Sequence, residues 1–134
     1  MSAADLPLPF PTADSKAFWD ACADERLTIQ KCNGCGVAQH YPRSLCTSCG
    51  GHDLQMIEAS GRGEVFTFTI NHRAPRPAFA ENGPYVIALI DLEEGPRLMM
   101  NVIGCEPSDV HIGMKVRIVF EQRGEMKLPQ ATPK

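Results

Sequence analysis

In the C-terminal half of the chain, hydrophobic and polar residues alternate in short runs that end at Gly, Pro or Asn. In residues 64–72, one face carries Phe66, Phe68 and Ile70, and the other carries Val65 and two threonines. A period of two with one apolar face is typical of a half-buried antiparallel strand. We therefore expect Phe66, Phe68 and Ile70 to face inward.

Three further runs predict strands in the same region. Residues 85–92 (YVIALIDL) are apolar on both faces, as a central strand is, and residues 97–103 follow a Gly-Pro turn. Residues 115–121 alternate again. About five short strands with turn signals at this spacing predict a small Greek-key barrel of the OB type.

A short helix is predicted near the N-terminus, running to about Glu25. Ser15, or another polar residue just before it, could cap the helix by bonding free N–H groups of the first turn. Phe18, Ala21 and Cys22 share one helical face at i, i+3, i+4 spacing. A helix this short is marginal alone and must be held by packing.

Trp19 is rotated by about 100° from Phe18 on this helix, so the two rings are not expected to face the same surface. One ring is then left for another molecule, and Trp is enriched at interface hot spots. The alternative is that both rings pack beneath the chain's own barrel and ribbon.

Two Cys-x-x-Cys-Gly knuckles predict a metal site, and their cysteines are Cys32, Cys35, Cys46 and Cys49. The spacing lets four sulfurs reach one ion at about 2.3 Å and complete the tetrahedron that structural zinc prefers. Disulfides and a thioredoxin-like redox site are the alternatives, but the second needs a βαβ context that is absent. We predict one structural zinc ion with no open position for water.

Short strands are expected around the knuckles, at residues 27–31, 37–41 and 54–59. The predicted organisation is an N-terminal arm and helix (1–26), a zinc ribbon (27–56) and an OB-fold domain (57–134).

Composition predicts a folded core, with 43% hydrophobic and 22% charged residues in 134. The formal net charge is −3, and four thiolates with one Zn²⁺ change it by −4 + 2, to about −5. The N-terminus has no basic region followed by an apolar run, and no stretch approaches the roughly 18 apolar residues of a membrane span. We expect a soluble, cytoplasmic protein with reduced cysteines.

The loop after the first barrel strand carries His72, Arg73 and Arg76 among several prolines. Loops positioned by a barrel often carry binding residues, although a solvated loop tip is an equal alternative. Cys22 and Cys105 stand outside the knuckles and are expected to be small buried hydrophobes. Catalysis through Cys105 or His72 is a further hypothesis, disfavoured because neither has a partnered base.

The chain resembles a known family, the zinc-ribbon plus OB-fold group long labelled domain of unknown function thirty-five. The resemblance covers nearly the whole chain, and its segments are FW (18–19), LTIQKCNGCG (27–36), YPRSLCTSCG (41–50), SGRGEVFTFT (60–69), HRAP (72–75), PYVIALIDL (84–92), GPRL (95–98), NVIGC (101–105) and IGMKV (112–116). The family often ends in Leu-Pro-x-Phe-x-Pro, where this chain has Ala131 in place of the aromatic residue.

The resemblance implies a mainly β protein with a short N-terminal helix, a rubredoxin-like zinc ribbon and a C-terminal OB barrel. Members of the family are non-catalytic partners of thiolase-like enzymes that act on acyl-CoA or related acyl substrates. Some also sit beside a hydratase-like or synthase-like subunit, where they stabilise the enzyme or help to form an acyl-CoA channel. In such complexes the helix and ribbon surfaces contribute to the interface. For this chain, the candidate residues of an interface with the partner or with acyl-CoA are Phe18, Trp19, His72, Arg73 and Arg76.

Binding of single-stranded nucleic acid is the second hypothesis, because zinc ribbons and OB folds often perform it. It needs exposed aromatic residues and a basic groove. Residues 57–134 carry nine Lys or Arg and ten Asp or Glu, a net of 9 − 10 = −1. This balance favours the partner-subunit hypothesis.

Overall fold

The protein is a mainly β structure with one short α-helix in the regions that the computed structural model describes, residues 6–73 and 83–134. Its elements in chain order are α1 (Lys16–Ala23), β1 (Thr28–Cys32), β2 (Ala38–Gln39), β3 (Leu54–Glu58), β4 (Arg62–Asn71), β5 (Tyr85–Leu92), β6 (Arg97–Val102), β7 (Lys115–Arg123) and β8 (Met126–Pro133), with a 3₁₀ turn at Pro107–Asp109. Within these regions no helix combines the length and apolarity that a membrane crossing requires.

Strands β1, β2 and β3 form the sheet of the zinc ribbon, in the order β2-β1-β3. Gln30 pairs with Gln39 on one side of β1, and Cys32 pairs with Leu54 on the other. The predicted hairpin is therefore present, although β2 is only two residues long.

Strands β4 to β8 close a barrel in the order β4-β5-β6-β8-β7. This is the five-stranded Greek-key arrangement of an OB fold, as predicted. Strand β8 was missed by sequence reasoning because Pro129 and Pro133 argue against a strand. It closes the barrel through a parallel pair between Val102 and Ala131, and Ala131 is fully buried where the family often has an aromatic residue.

The expected inward face of β4 is wrong at one position. The register of β4 against β5 shifts between Val65 and Thr67, so Phe66 is the extra residue of a β-bulge. Val65 is buried, whereas Phe66 is exposed. A bulge inserts one residue and reverses the alternation beyond it, and for this reason Phe68 and Ile70 still pack against the core.

Helix α1 packs against β8 and β1. Phe18, Ala21 and Cys22 are buried, which confirms the predicted face. The expected side-chain cap is wrong: Ser15 Oγ accepts a hydrogen bond from Thr12 N–H at 2.8 Å instead of one from the first turn of the helix. Ser15 N–H also donates to the Thr12 carbonyl at 3.2 Å, so residues 12–15 form a turn that engages the hydroxyl.

The described part of the N-terminal arm lies across the β7–β8 hairpin. Arg123 Nη1 donates to the Pro7 carbonyl at 3.4 Å. The Leu8 side chain lies beside Gly124, so close that a Cβ added at Gly124 would stand 3.6 Å from it. These contacts join the first described residues to the far end of the barrel.

Candidate functional site

The four knuckle cysteines meet at one point of the zinc ribbon. Their Sγ atoms all lie within 4.8 Å of one another. Cys32 Sγ is 3.7 Å from Cys49 Sγ, and Cys35 Sγ is 3.6 Å from Cys46 Sγ. Four sulfurs bound to one Zn²⁺ at about 2.3 Å stand about 3.8 Å apart. The cluster therefore fits a zinc ion, and four thiolates close its coordination shell to water.

Each knuckle turns at the glycine that follows its second cysteine. Gly36 and Gly50 have φ angles of +80° and +78°, a left-handed conformation that residues with a Cβ rarely adopt. The N–H groups of Cys49 and Ser48 donate to Cys46 Sγ at 3.4 and 3.3 Å. These bonds lower the pKa of the Cys46 thiol to about 6, which favours the thiolate that binds a metal.

Two buried glutamines, which sequence reasoning missed, support the second knuckle. Gln39 Oε1 accepts from Thr47 N–H at 2.9 Å, and Gln39 Nε2 donates to the Leu45 carbonyl at 3.1 Å. Gln30 Oε1 accepts from Arg43 N–H at 2.8 Å, and Gln30 Nε2 donates to the Arg43 carbonyl at 2.9 Å. The glutamines thus attach this loop to β1 and β2. The sequence indicates this role only weakly, through the polar residue Gln30 within the mostly buried strand β1.

A groove of about 280 Å³ lies between α1, the ribbon hairpin and the barrel strands β5, β6 and β8. We call it the Trp19 groove, and the residues of its wall used below are Phe18, Trp19, His40, Tyr41, Ile87 and Met99.

Phe18 and Trp19 both line this groove, so the expectation that their rings face different surfaces is wrong. The rings meet edge to face, with centroids 4.9 Å apart and planes at 82°. Phe18 is 2% exposed and belongs to the core, which leaves it no surface for a partner. Trp19 is partly buried and packs against the same core. Because α1 lies in a concave junction, neighbouring positions on the helix both meet protein.

His40 is a neutral, partly buried wall of the groove. Its ring centroid lies 4.9 Å from that of Phe18 and 4.0 Å from that of Tyr41. Burial, together with the nearby charge of Arg43, lowers the pKa of His40 to about 4. Its Nδ1 is buried and has no hydrogen-bond partner among the described residues.

Of the loop residues predicted from the sequence, His72 and Arg73 do not line the groove. His72 and Arg73 are exposed directly after β4 ends at Asn71. Asn71 pairs with Tyr85, which does line the groove. His72 and Arg73 therefore lie at the same end of the barrel as Tyr85. Arg76 lies outside the described residues.

The two cysteines outside the knuckles are poor nucleophiles. Burial raises the pKa of the Cys22 thiol to about 12. Burial, with Asp109 and Glu106 nearby, also raises the pKa of Cys105. Both thiols therefore stay protonated near neutral pH, which removes the support for catalysis through Cys105.

Two family models match the chain in succession. One, described as the rubredoxin-like zinc ribbon domain of ChsH2, matches residues 19–55. The other, described as the C-terminal OB-fold domain of ChsH2, matches residues 56–121.

Similar proteins include two with names from acyl-CoA metabolism and one named as a scaffold protein. A probable enoyl-CoA hydratase alpha subunit of Thermomonospora curvata is 38% identical over 95% of this chain and 40% of its own length. A DUF35 domain-containing scaffold protein of Methanocaldococcus jannaschii is 40% identical over 69% of this chain and 65% of its own length. The benzoylsuccinyl-CoA thiolase subunit BbsA of Thauera aromatica is 28% identical over 81% of this chain and 78% of its own length. The chain thus spans less than two thirds of the length of the first two relatives.

A solved structure has the same fold throughout. The chain in the structure titled "Ltp2-ChsH2(DUF35) aldolase" superposes with a TM-score of 0.85 at 36% identity, covering 94% of this chain and 98% of that one. The order of helix, ribbon and barrel described above is therefore shared with it.

Proposed function

The chain belongs to the ChsH2 family of zinc-ribbon and OB-fold proteins, and from this premise we propose that it is an accessory subunit of a thiolase-like enzyme. The subunit binds and stabilises an enzyme that acts on acyl-CoA or a related acyl substrate. It does not itself carry the reaction. A hydratase-like or synthase-like subunit joins the same assembly.

The observation that carries this proposal is the apolar rim of the Trp19 groove. Tyr41 is 51% exposed and Met99 is 63% exposed, beside the partly buried indole of Trp19. Large apolar side chains grouped around a concave surface are typical of a protein interface. We assign Trp19 as the anchor, because Phe18 is already used by the core.

The non-catalytic role is supported by the chemistry of the described residues. The zinc cluster is closed to substrate by four cysteines. The thiols of Cys22 and Cys105 are held in the protonated form. Three relatives of 32–40% identity are named DUF35 domain-containing scaffold proteins.

A contribution to the acyl-CoA channel is the finer part of the proposal. His72 and Arg73 are exposed at the end of the barrel where β5 begins. Their side chains can donate to phosphate or carbonyl oxygens, which are the polar groups of an acyl-CoA. We include Arg76 in this proposed contact from its sequence position alone.

The test is to tag the chain in its native cell, identify the thiolase-like enzyme it retains, and co-express the two. We expect a complex of fixed stoichiometry in which the enzyme is more soluble or more active than alone, while the isolated chain does not turn over acyl-CoA. Recovery of the tagged chain without any thiolase-like enzyme would overturn the proposal.

A further inference from the structure

Strand β5 is apolar on both faces, although only one face points into the barrel. The inward residues Val86, Ala88 and Ile90 are buried. Ile87 and Leu89 point outward between them and are only partly buried. The outward face of a sheet in water normally carries polar residues. Part of this face lies in the Trp19 groove, but Leu89 is not among the residues that line it.

The neighbouring strands extend the apolar face on both sides of β5. Leu89 pairs with Met99 of β6 and with Thr67 of β4, and directly paired residues stand on the same side of a sheet. Met99 is 63% exposed. Phe66, which the bulge turns outward next to Thr67, is 46% exposed. Together these residues form a line across three strands.

Phe66 is held in its exposed position by a stacked cation. The Arg97 guanidinium lies 3.4 Å from the centroid of the Phe66 ring. Asp91 holds that guanidinium through hydrogen bonds of 2.6 and 3.2 Å to its two carboxylate oxygens. The ring is therefore ordered before any contact forms, and this reduces the entropy lost on binding.

We define the β5–β6 strip as Phe66, Ile87, Leu89 and Met99, and we propose that it is a second contact surface for the same partner subunit, with Phe66 as its anchor. This inference rests on the proposed function. Ile87 and Met99 belong both to the strip and to the wall of the Trp19 groove. A protein that fills the groove therefore also covers the start of the strip.

The chemistry of the strip favours an apolar protein surface over a nucleic acid. The cation that stacks on Phe66, Arg97, is already paired with Asp91, so this guanidinium is not a free positive charge for a phosphate. Phe66, Leu89 and Met99 present only hydrocarbon, thioether and a ring face. The partner surface that fits is apolar, with a pocket wide enough for a phenyl ring.

The experiment uses the co-expressed complex with the thiolase-like enzyme identified by tagging. The affinity of that enzyme is measured for the natural chain, Phe66→Ala, Phe66→Tyr and Phe10→Ala. Phe10 is 95% exposed on the N-terminal arm and does not line the Trp19 groove, and it is the matched control. We expect Phe66→Ala to weaken binding about tenfold or more, Phe66→Tyr to weaken it less because the ring is kept but its hydroxyl enters an apolar surface, and Phe10→Ala to bind like the natural chain.

Trp19→Ala is measured beside them to separate the two proposals. If Trp19→Ala weakens binding and Phe66→Ala does not, the β5–β6 strip is not a contact surface, and the proposed function is unaffected. Equal losses from Phe66→Ala and Phe10→Ala would also overturn it, because exposed phenylalanines in general would then matter. If no thiolase-like enzyme binds the natural chain, both the proposed function and the proposed partner of the strip are wrong. Melting temperatures of the isolated Phe66 and Phe10 variants, expected to be nearly unchanged, exclude unfolding as the cause.

Discussion

Gln39 Nε2 donates a hydrogen bond to Gln30 Oε1 at 2.6 Å, between side chains that are both buried. This bond connects β2 to β1 beneath the second zinc knuckle. Because each amide also bonds to the backbone of the loop that leads to Cys46, the pair holds that loop at a fixed distance from the first knuckle. A residue that never touches the metal thus positions a metal ligand.

Gln39→Leu should weaken zinc retention. The substitution leaves Gln30 Oε1 and the Thr47 N–H each without one partner, and an unsatisfied buried polar group costs about 1–3 kcal/mol. We expect a lower melting temperature and faster loss of zinc to a chelator. The control is Gln55→Leu, because Gln55 lies on β3 of the same sheet and is exposed. Equal zinc loss from both variants would show that the amide pair has no special role.

Cys35→Ser should abolish the metal site. Three thiolates remain, so we expect metal analysis to fall from about one zinc per chain to almost none, with loss of the ribbon fold. Cys105→Ser is the control and should keep both zinc and fold. A well-folded natural protein without metal would contradict the assignment of the cluster.

Phe18→Ala and Trp19→Ala should differ in what they damage. Phe18 is 2% exposed, so its truncation should cost about 3–5 kcal/mol of folding free energy. Trp19→Ala should lower the melting temperature less, since part of the indole is solvent-accessible. It should weaken the complex by about 2–4 kcal/mol, some thirty-fold to nearly a thousand-fold.

The comparison needs both melting temperature and complex formation for each variant. If Trp19→Ala melts the subunit as severely as Phe18→Ala, the helix is core alone. The interface must then lie elsewhere.

His40 should make the protein less stable in mild acid. The folded state keeps its imidazole neutral down to pH about 4, whereas the unfolded chain takes up the proton near pH 6.5. The unfolded state therefore binds more protons between these values. The contribution of His40 to the free energy of unfolding should fall as the pH drops from 6.5 to 4, by up to about 3 kcal/mol, and be constant above that window.

The measurement is denaturant unfolding of the natural chain and His40→Phe across this pH range, with zinc content followed in the same samples. Zinc must be followed because acid also protonates the cysteines. His40→Phe should flatten the slope, and His111→Gln, at an exposed histidine, should not. An unchanged slope in His40→Phe would assign the acid sensitivity to other groups.

The chain should not bind single-stranded nucleic acid at physiological salt. Residues 57–134 have a net charge of −1 from nine basic and ten acidic residues, and backbone binding depends on an excess of cations. Fluorescence anisotropy with a labelled oligonucleotide should show no appreciable binding. Submicromolar, salt-sensitive affinity would restore the nucleic-acid hypothesis.

The zinc site was predictable from the sequence because its information is local. Two residues between the cysteines of a pair, and a glycine after the second, determine where each pair of sulfurs can point. The barrel strands β5, β6 and β7 were predictable for a similar reason. Their alternation has a period of two, and glycines and prolines mark their ends.

Other features depended on contacts between residues far apart in the chain. Strand β8 contains two prolines and became a strand because the gap between β6 and β7 had to be closed. Phe66 points outward because a bulge changed the register against β5, which no alternation pattern within β4 reveals.

The surroundings of Trp19 were likewise decided by tertiary structure. Helical spacing correctly placed Phe18 and Trp19 about 100° apart, but it could not show that α1 lies in a concave junction where both positions meet protein. The sequence pattern predicts in which direction a side chain points relative to its own helix or strand. Whether that side chain meets protein or solvent depends on how elements that are distant in the chain pack together.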